Sequence, residues 1–187
     1  MAAERVERAF GEIDWFPVAG PVNALGVPCS TGESNLRAAE RLGIAERQAQ
    51  ELRLPLVEPE RYGVLDPRPA ARAAVYAADH DGGRRFALAA ARLAFCGGFD
   101  LEDPELIGEA ARAADLAPDA AIAASQDAAY DDVLEATARG MAARGVTAGP
   151  AIRIGTRWFA GLDAVPGAST FAAVRALYGD LSLRPGG

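Results

Sequence analysis

The segment that decides the fold is residues 145–161, GVTAGPAIRIGTRWFAG. Two short extended runs, Ala151–Ile154 and Arg157–Ala160, are separated by a Gly-Thr pair, so the segment is predicted to form a loop, a strand, a tight turn and a second strand. Pro150 precedes the first run, and because proline cannot donate to a strand ladder, it must begin the strand or lie in the turn before it. X-Pro bonds are also the peptide bonds with appreciable access to the cis form.

The composition predicts one domain, residues 1–187. Half of the 187 residues are apolar (50%), which is enough to bury a core of ordinary size. The formal net charge of −7 and the pI near 4.8 argue against binding to nucleic acid or to an anionic membrane surface, because both are polyanions. The sequence has no secretory signal and no run of about 18 apolar residues that could span a membrane. We therefore expect a cytoplasmic protein.

Cysteine and histidine usage argues against two common kinds of site. Cys29 and Cys96 are far apart in sequence and form no CxxC pair, so the usual redox dithiol is absent. A disulfide between them is left as an open alternative, although a reducing cytoplasm disfavours it. His80 is the one histidine, and without clustered thiolates the ordinary ligand set of a zinc site cannot be assembled. No metal is expected.

The chain before residue 145 has a mostly helical pattern. Residues 2–10 are predicted as a helix and Ile13–Val18 as a short strand. Further helices are expected over about 34–53, 70–78, 84–96, from a cap at Asp103, from Pro118, and over 127–144. After the two strands, a last helix introduced by Pro166 and Ser169 carries its large apolar side chains at helical spacing, namely Phe171, Val174, Leu177 and Tyr178. The helical block therefore covers about residues 34–144.

The segment 145–161 resembles a known family. Its Gly-Val-x-x-x-Pro motif, apolar strand, glycine turn and aromatic-x-Gly ending are similar to the C-terminal part of the DsbA-like branch of the thioredoxin fold, nearest to 2-hydroxychromene-2-carboxylate isomerases and kappa-class glutathione transferases. Ile13–Val18 resembles the second strand of that family, and residues 84–103 resemble a helix that ends in a Gly-x-Asp-Ile-x-Asp pattern. The resemblance implies an α/β thioredoxin-like fold with an all-helical insertion.

The sequence also departs from the family pattern. The first strand and first helix of the family carry the catalytic Cys-x-x-Cys or a serine that orients the glutathione sulfur, and this sequence begins after that point. The resemblance therefore implies a thioredoxin-like fold lacking its first strand, with the catalytic residue unknown; either the start of the sequence is mis-assigned or truncated, or the protein has lost the nucleophile segment. Asn23, Cys29 and Ser30 lie in a loop that the fold would bring near the pocket. Cys29 is nevertheless interpreted as structural, because no basic neighbour in sequence lowers the pKa of its thiol.

The resemblance assigns a binding role to three residues. Pro150 takes the place of the family's cis-proline, Gly149 would pair with the cysteinyl backbone of glutathione or another small thiol, and Asp163 would hold the γ-glutamyl ammonium. From the residues alone, Pro150 could simply begin a strand and Asp163 could be a turn carboxylate. Cys96 is interpreted as a core residue and His80 as the end of a solvated helix.

Two functions from different classes remain. The first is a DsbA-like oxidoreductase or isomerase acting on a small molecule, related to the glutathione-dependent isomerases. The second is a catalytically degenerate module that binds a ligand or oligomerises but lacks the nucleophile. A homodimer is left as an open alternative. Dithiol–disulfide exchange is the weakest form of the first hypothesis, because the sequence contains no CxxC.

Overall fold

The computed structural model describes residues 5–6, 9–10, 14–18, 35–55, 66–146, 149–161 and 164–178. The element bounds are α1 Asn35–Leu52, α2 Arg68–Asp79, α3 Gly83–Gly97, α4 Pro104–Ala113, α5 Pro118–Gln126, α6 Ala129–Ala142, β1 Ala151–Ile154, β2 Arg157–Ala160 and α7 Ala164–Tyr178. Of the predicted N-terminal helix, residues 5, 6 and 9 are described and are helical. The predicted helices and the two C-terminal strands are therefore present, with helix ends that differ by a few residues.

Local sequence signals set several helix ends. Asp103 caps α4: its carboxylate accepts a hydrogen bond from the backbone N–H of Glu105 at 2.9 Å, and Pro104 occupies the first turn, where a missing N–H costs nothing. Gly98 ends α3 in the left-handed region at φ 70°, which glycine adopts without a Cβ clash. These two ends fix the short connection from α3 to α4.

Helices α2 to α6 pack into one block with α2 in contact with each of the other four. Its core is mostly alanine, which lets the helix backbones approach closely. The fully or nearly fully buried members are Ala73, Ala77, Phe86, Ala90, Ile107, Ala110, Ala111, Ala114 and Ala121. Only Phe86 and Ile107 in that set are large, and larger partly buried side chains such as Tyr76, Leu93 and Leu116 pack around them.

An ion pair joins α2 to α6 across this block. The Nε and Nη2 atoms of Arg72 donate to the two carboxylate oxygens of Asp131 at 2.8 and 2.7 Å, and Nη1 reaches the carbonyl of Ser125 at 3.4 Å. The two-point arrangement matches the planar guanidinium to the carboxylate. The hydrogen bond from Arg72, together with its charge, lowers the pKa of the Asp131 carboxyl below its ordinary value, although partial burial acts in the opposite direction.

The hairpin β1–β2 is antiparallel, with Ala151 opposite Ala160 and Ile154 opposite Arg157. Its two-residue turn has Gly155 at φ 60°, and because Thr156 does not share a positive φ, the turn has the form in which glycine takes the first central position. Helix α7 packs on both strands. Its buried side chains are Ala164, Val165 and Ala168.

One prediction was wrong. Residues 14–18 of the predicted strand Ile13–Val18 are described and form no strand; within the described residues the sheet consists of β1 and β2 alone. Pro17 removes a ladder donor, and Phe16 is 66% exposed, so the apolar pattern there does not mark a core-facing strand. The predicted last helix is present and begins at Ala164, with Pro166 in its first turn, where proline is tolerated.

Candidate binding site at the proline loop

The candidate site lies at the open end of the hairpin. One residue beyond the pair Ala151–Ala160, the carbonyl of Pro150 accepts a hydrogen bond from the backbone N–H of Gly161 at 2.9 Å. Gly149 lies just outside this closing bond, and both Gly149 and Pro150 are exposed. The peptide bond between them is cis. The ladder therefore ends at a backbone segment that faces solvent.

Gly149 leaves its backbone accessible. If a Cβ were added there, no heavy atom of the described residues would lie within 4 Å of it, apart from the glycine itself and its chain neighbours. Its φ lies outside the positive range, so the turn itself does not require glycine. A side chain at this position would instead occupy space that another molecule could use to approach the backbone.

One face of the hairpin is fixed by contacts with α7. The cross-strand pair Ile152–Phe159 lies on this face, and the ring of Phe159 contacts that of Phe171 with centroids 5.6 Å apart. A Cβ at Gly167 would come within 3.1 Å of the Phe159 ring, so the helix approaches closely because this residue is small. These contacts hold the hairpin, whose first strand follows Pro150 directly, against helix α7.

Charge is distributed unevenly over the hairpin. The described residues of the hairpin and α7 contain no aspartate or glutamate, and the arginines lie at the turn instead of at the proline end. Arg153 lies over the ring of Trp158 at 5.8 Å, and Arg157 lies over Phe171 at 5.1 Å. The open end around Gly149 is therefore built from uncharged backbone.

The structure brings together two of the three predicted binding residues. Gly149 and Pro150 are adjacent at the open end, whereas Asp163 lies outside the described residues. Asn23, Cys29 and Ser30 also lie outside them. The role of all these residues in binding stays a prediction.

The other singled-out side chains lie in the helical block. Cys96 is half-buried near the end of α3. His80 is exposed at the end of α2, where its Nδ1 atom lies 2.8 Å from the carbonyl of Tyr76, so the interpretation as a solvated helix end is confirmed. Among the described residues, no three histidine, cysteine, aspartate or glutamate side chains come together as a metal site would require.

Sequence reasoning missed the partners that only the fold creates. Arg72 and Asp131 are 59 positions apart, and no local spacing connects them. Arg157 was not singled out, although two arginines placed on either side of a Gly-Thr turn were a visible signal.

In the part of the chain that is described, no helix has the length and apolarity needed to cross a bilayer.

Comparisons with known proteins agree with this architecture. A solved structure of 2-hydroxychromene-2-carboxylate isomerase, in its selenomethionine form, superimposes with a TM-score of 0.62 at 16% sequence identity, covering 79% of this chain and 74% of that one. At this identity the likeness shows a shared fold. No curated protein matches the sequence.

The sequence profile of the DSBA-like thioredoxin domain family matches residues 16–179, which is most of the chain. The predicted α/β thioredoxin-like fold with a helical insertion is confirmed by this match and by the structural likeness. The chain belongs to the DSBA-like thioredoxin domain family.

Proposed function

We propose that the chain binds glutathione or another small thiol at the open end of the hairpin. The observation that carries the proposal is the accessible backbone at Gly149, which is exposed and whose Cβ position has no non-neighbouring heavy atom of the described part of the chain within 4 Å. An extended peptide presents its own N–H and C=O groups to such a strand end and pairs with it. The cysteinyl residue of glutathione is a peptide unit of this kind.

Asp163 supplies the second contact in this proposal. It follows Gly161 by two positions in sequence, and the backbone N–H of Gly161 donates a hydrogen bond to the carbonyl of Pro150. A carboxylate there would accept a charge-assisted hydrogen bond from the γ-glutamyl ammonium of glutathione. Gly149 would then fix the middle of the ligand and Asp163 one of its ends.

The proposed activity is isomerisation of a small conjugated substrate, as in the enzyme that shares the fold. When glutathione is bound, its thiolate supplies a nucleophile that adds reversibly to a conjugated bond. The contribution of this chain is to hold the thiol at the hairpin end and to orient it through Gly149 and Asp163. Dithiol exchange is not proposed, because the sequence contains no CxxC.

The alternative is a binding module of the same fold without chemistry. Its basis is the sequence, in which neither Cys29 nor Cys96 is part of a Cys-x-x-Cys motif. The two hypotheses share the thiol site and differ in turnover. A homodimer and a cytoplasmic location remain predictions under either hypothesis.

Isothermal titration calorimetry with glutathione tests the site. We expect Gly149→Val to weaken binding at least about tenfold, because two backbone hydrogen bonds contribute roughly 1 kcal/mol each. Asp163→Ala should weaken it by a similar factor. Gly140→Val is the matched control, since Gly140 lies in α6 and, among described atoms outside the helix backbone, its Cβ position is approached within 4 Å by the flexible Arg144 side chain alone, at 3.7 Å.

Absence of heat with the wild-type protein, or equal affinity in all three variants, would remove the glutathione proposal. If binding is present, a second measurement separates the enzyme from the module. The protein is mixed with glutathione and 2-hydroxychromene-2-carboxylate, and the absorbance of the substrate is followed with time. Catalysed change that is lost in Gly149→Val supports the isomerase, and binding without any change supports the module.

A further inference from the structure

The face of the hairpin that is turned away from α7 carries a cation beside an aromatic ring. Side chains alternate along a strand, and the ring of Phe159 lies on the α7 side. The cross-strand pairs on the opposite side are Arg153–Trp158 and, one step nearer the open end, Ala151–Ala160. We call these four residues the outer face. A molecule that extends from the open end along this face would contact the two alanines first and the Arg153–Trp158 pair beyond them.

Arg153 is the charged group of the outer face. Its side chain is exposed, and its Cζ atom lies 5.8 Å from the centroid of the Trp158 ring. The ring attracts a guanidinium in this position and restricts the directions in which its N–H groups point. In the part of the chain that is described, Arg153 takes part in no ion pair, and neither the hairpin nor α7 contains a carboxylate. Its donors are therefore accessible to an anion.

We propose that Arg153 determines the substrate specificity of the proposed thiol site by holding the carboxylate of a planar substrate on the outer face. This inference rests on the proposed function. The α-carbons of Gly149 and Arg153 are four residues apart, which corresponds to about 13 Å at the usual rise of a β-strand. With the thiol at Gly149, a conjugated substrate beside it would cover Ala151 and Ala160. A carboxylate at its far end would then reach the guanidinium.

The outer face suits such a substrate in shape and in charge. Ala160 is exposed and Ala151 is half-buried, and their methyl side chains leave room for a flat ring. A guanidinium pairs with a carboxylate in a planar two-point arrangement that is stronger than a hydrogen bond between neutral groups. The net charge of −7 disfavours the approach of an anion to the chain as a whole, so a local cation decides where the anion binds. A neutral substrate of the same shape would keep only the apolar contact.

Two-dimensional ¹H–¹⁵N NMR of the full chain with 1-naphthoate and with 1-naphthamide tests the inference. The two ligands share a ring system and differ in charge. We expect 1-naphthoate to shift the indole N–H signal of Trp158 in a saturable way, and 1-naphthamide to bind about tenfold more weakly, as expected for loss of a hydrogen bond between charged groups. Arg153→Gln should remove this preference and leave both ligands with the affinity of the amide.

Arg157→Gln is the matched control, because it removes the same charge from the α7 side of the same hairpin. It should keep the preference for 1-naphthoate, and unchanged signals elsewhere show that each variant is folded. The inference is overturned if 1-naphthoate produces no saturable shift at Trp158, if the wild type binds both ligands equally, or if Arg157→Gln reduces the preference as much as Arg153→Gln does.

A calorimetric titration with glutathione distinguishes failure of this inference from failure of the proposed function. Arg153→Gln should bind glutathione as the wild type does, because the thiol site uses Gly149 and Asp163. Absence of heat with the wild type would remove the thiol site, whereas a preference for 1-naphthoate that is lost in Arg153→Gln would still support Arg153 as a carboxylate-binding residue. Where 2-hydroxychromene-2-carboxylate is turned over, Arg153→Gln should raise KM about tenfold with little change in kcat. An unchanged KM would overturn the assignment.

Discussion

The helical block α2–α6 and the hairpin unit of β1, β2 and α7 bury their apolar residues in different ways. In the block, one helix contacts four others around a continuous core that includes Phe86 and Ile107. In the hairpin unit, α7 buries small residues against two short strands, while Leu177 is left 78% exposed. The comparison teaches that the block carries stability through side-chain packing, whereas the hairpin unit leaves backbone groups and charged side chains exposed.

The largest expected effect is the loss of Phe86 from the block. This side chain is 1% exposed and lies at the centre of the core. Phe86→Ala should lower the free energy of unfolding by about 3–5 kcal/mol, because the change removes apolar burial and leaves a cavity. Urea unfolding followed by circular dichroism measures it.

Phe95→Ala on the same helix is the control, since that ring is 53% exposed. It should cost less than half as much as Phe86→Ala. Equal losses for the two variants would contradict the idea that one continuous core carries the stability of the block.

The second effect is pH-dependent and concerns the ion pair of Arg72 and Asp131. The pKa of Asp131 is lowered in the folded state, from an ordinary value of 3.8, chiefly by its hydrogen bond to Arg72. A group whose pKa is lowered by folding stabilises the protein above its unfolded pKa, and this contribution is lost as the pH falls through the folded pKa. Asp131→Asn should therefore lower the urea midpoint at pH 7 and have progressively less effect below about pH 4.

Asp132→Asn provides the comparison for this pair, because Asp132 is the exposed neighbour on the same helix. Its effect at pH 7 should be the smaller of the two. A difference between wild type and Asp131→Asn that stays constant from pH 7 to pH 3 would show that the ion pair does not stabilise the block in this way.

The sequence allowed correct prediction of elements whose signals are local. The bounds of β1 and β2 follow from apolar runs on either side of a Gly-Thr turn, and the start of α4 follows from Asp103 and Pro104. The position of Pro150 before β1 likewise needs only the order of residues. Such features are determined within a few residues, so no knowledge of packing is needed.

The remaining features depend on contacts between distant segments. The pairing of Arg72 with Asp131 links positions 59 residues apart and had no local signal. Arg175 likewise lies against Gly155 only because α7 packs on the hairpin. The apolar run Ile13–Val18 was predicted as a strand, but a strand needs a partner ladder that local composition does not reveal. The identity of a ligand at the candidate site could not be predicted from local sequence either, because distant segments together shape the site.

Burial along α7 divides the large apolar residues that share helical spacing. Phe171 contacts the ring of Phe159, whereas Val174 and Leu177 are exposed, and the fully buried residues of the helix are Ala164, Val165 and Ala168. The hairpin is short, so the first half of α7 packs on it and the later apolar residues face solvent. Size is therefore a poor guide to burial where the opposing surface is only two strands wide.

The smallest expected effect tests that explanation directly. Leu177→Ser should change the free energy of unfolding by less than about 0.5 kcal/mol, because the side chain already faces solvent and its replacement creates no cavity. Ala168→Leu, on the fully buried face of the same helix, should cost about 1–3 kcal/mol by overpacking against the strands. Both are measured by urea unfolding at pH 7. If the change at Leu177 proved the more costly, the outer face of α7 would have to be packed in solution, and the contrast between the hairpin unit and the helical block would no longer hold.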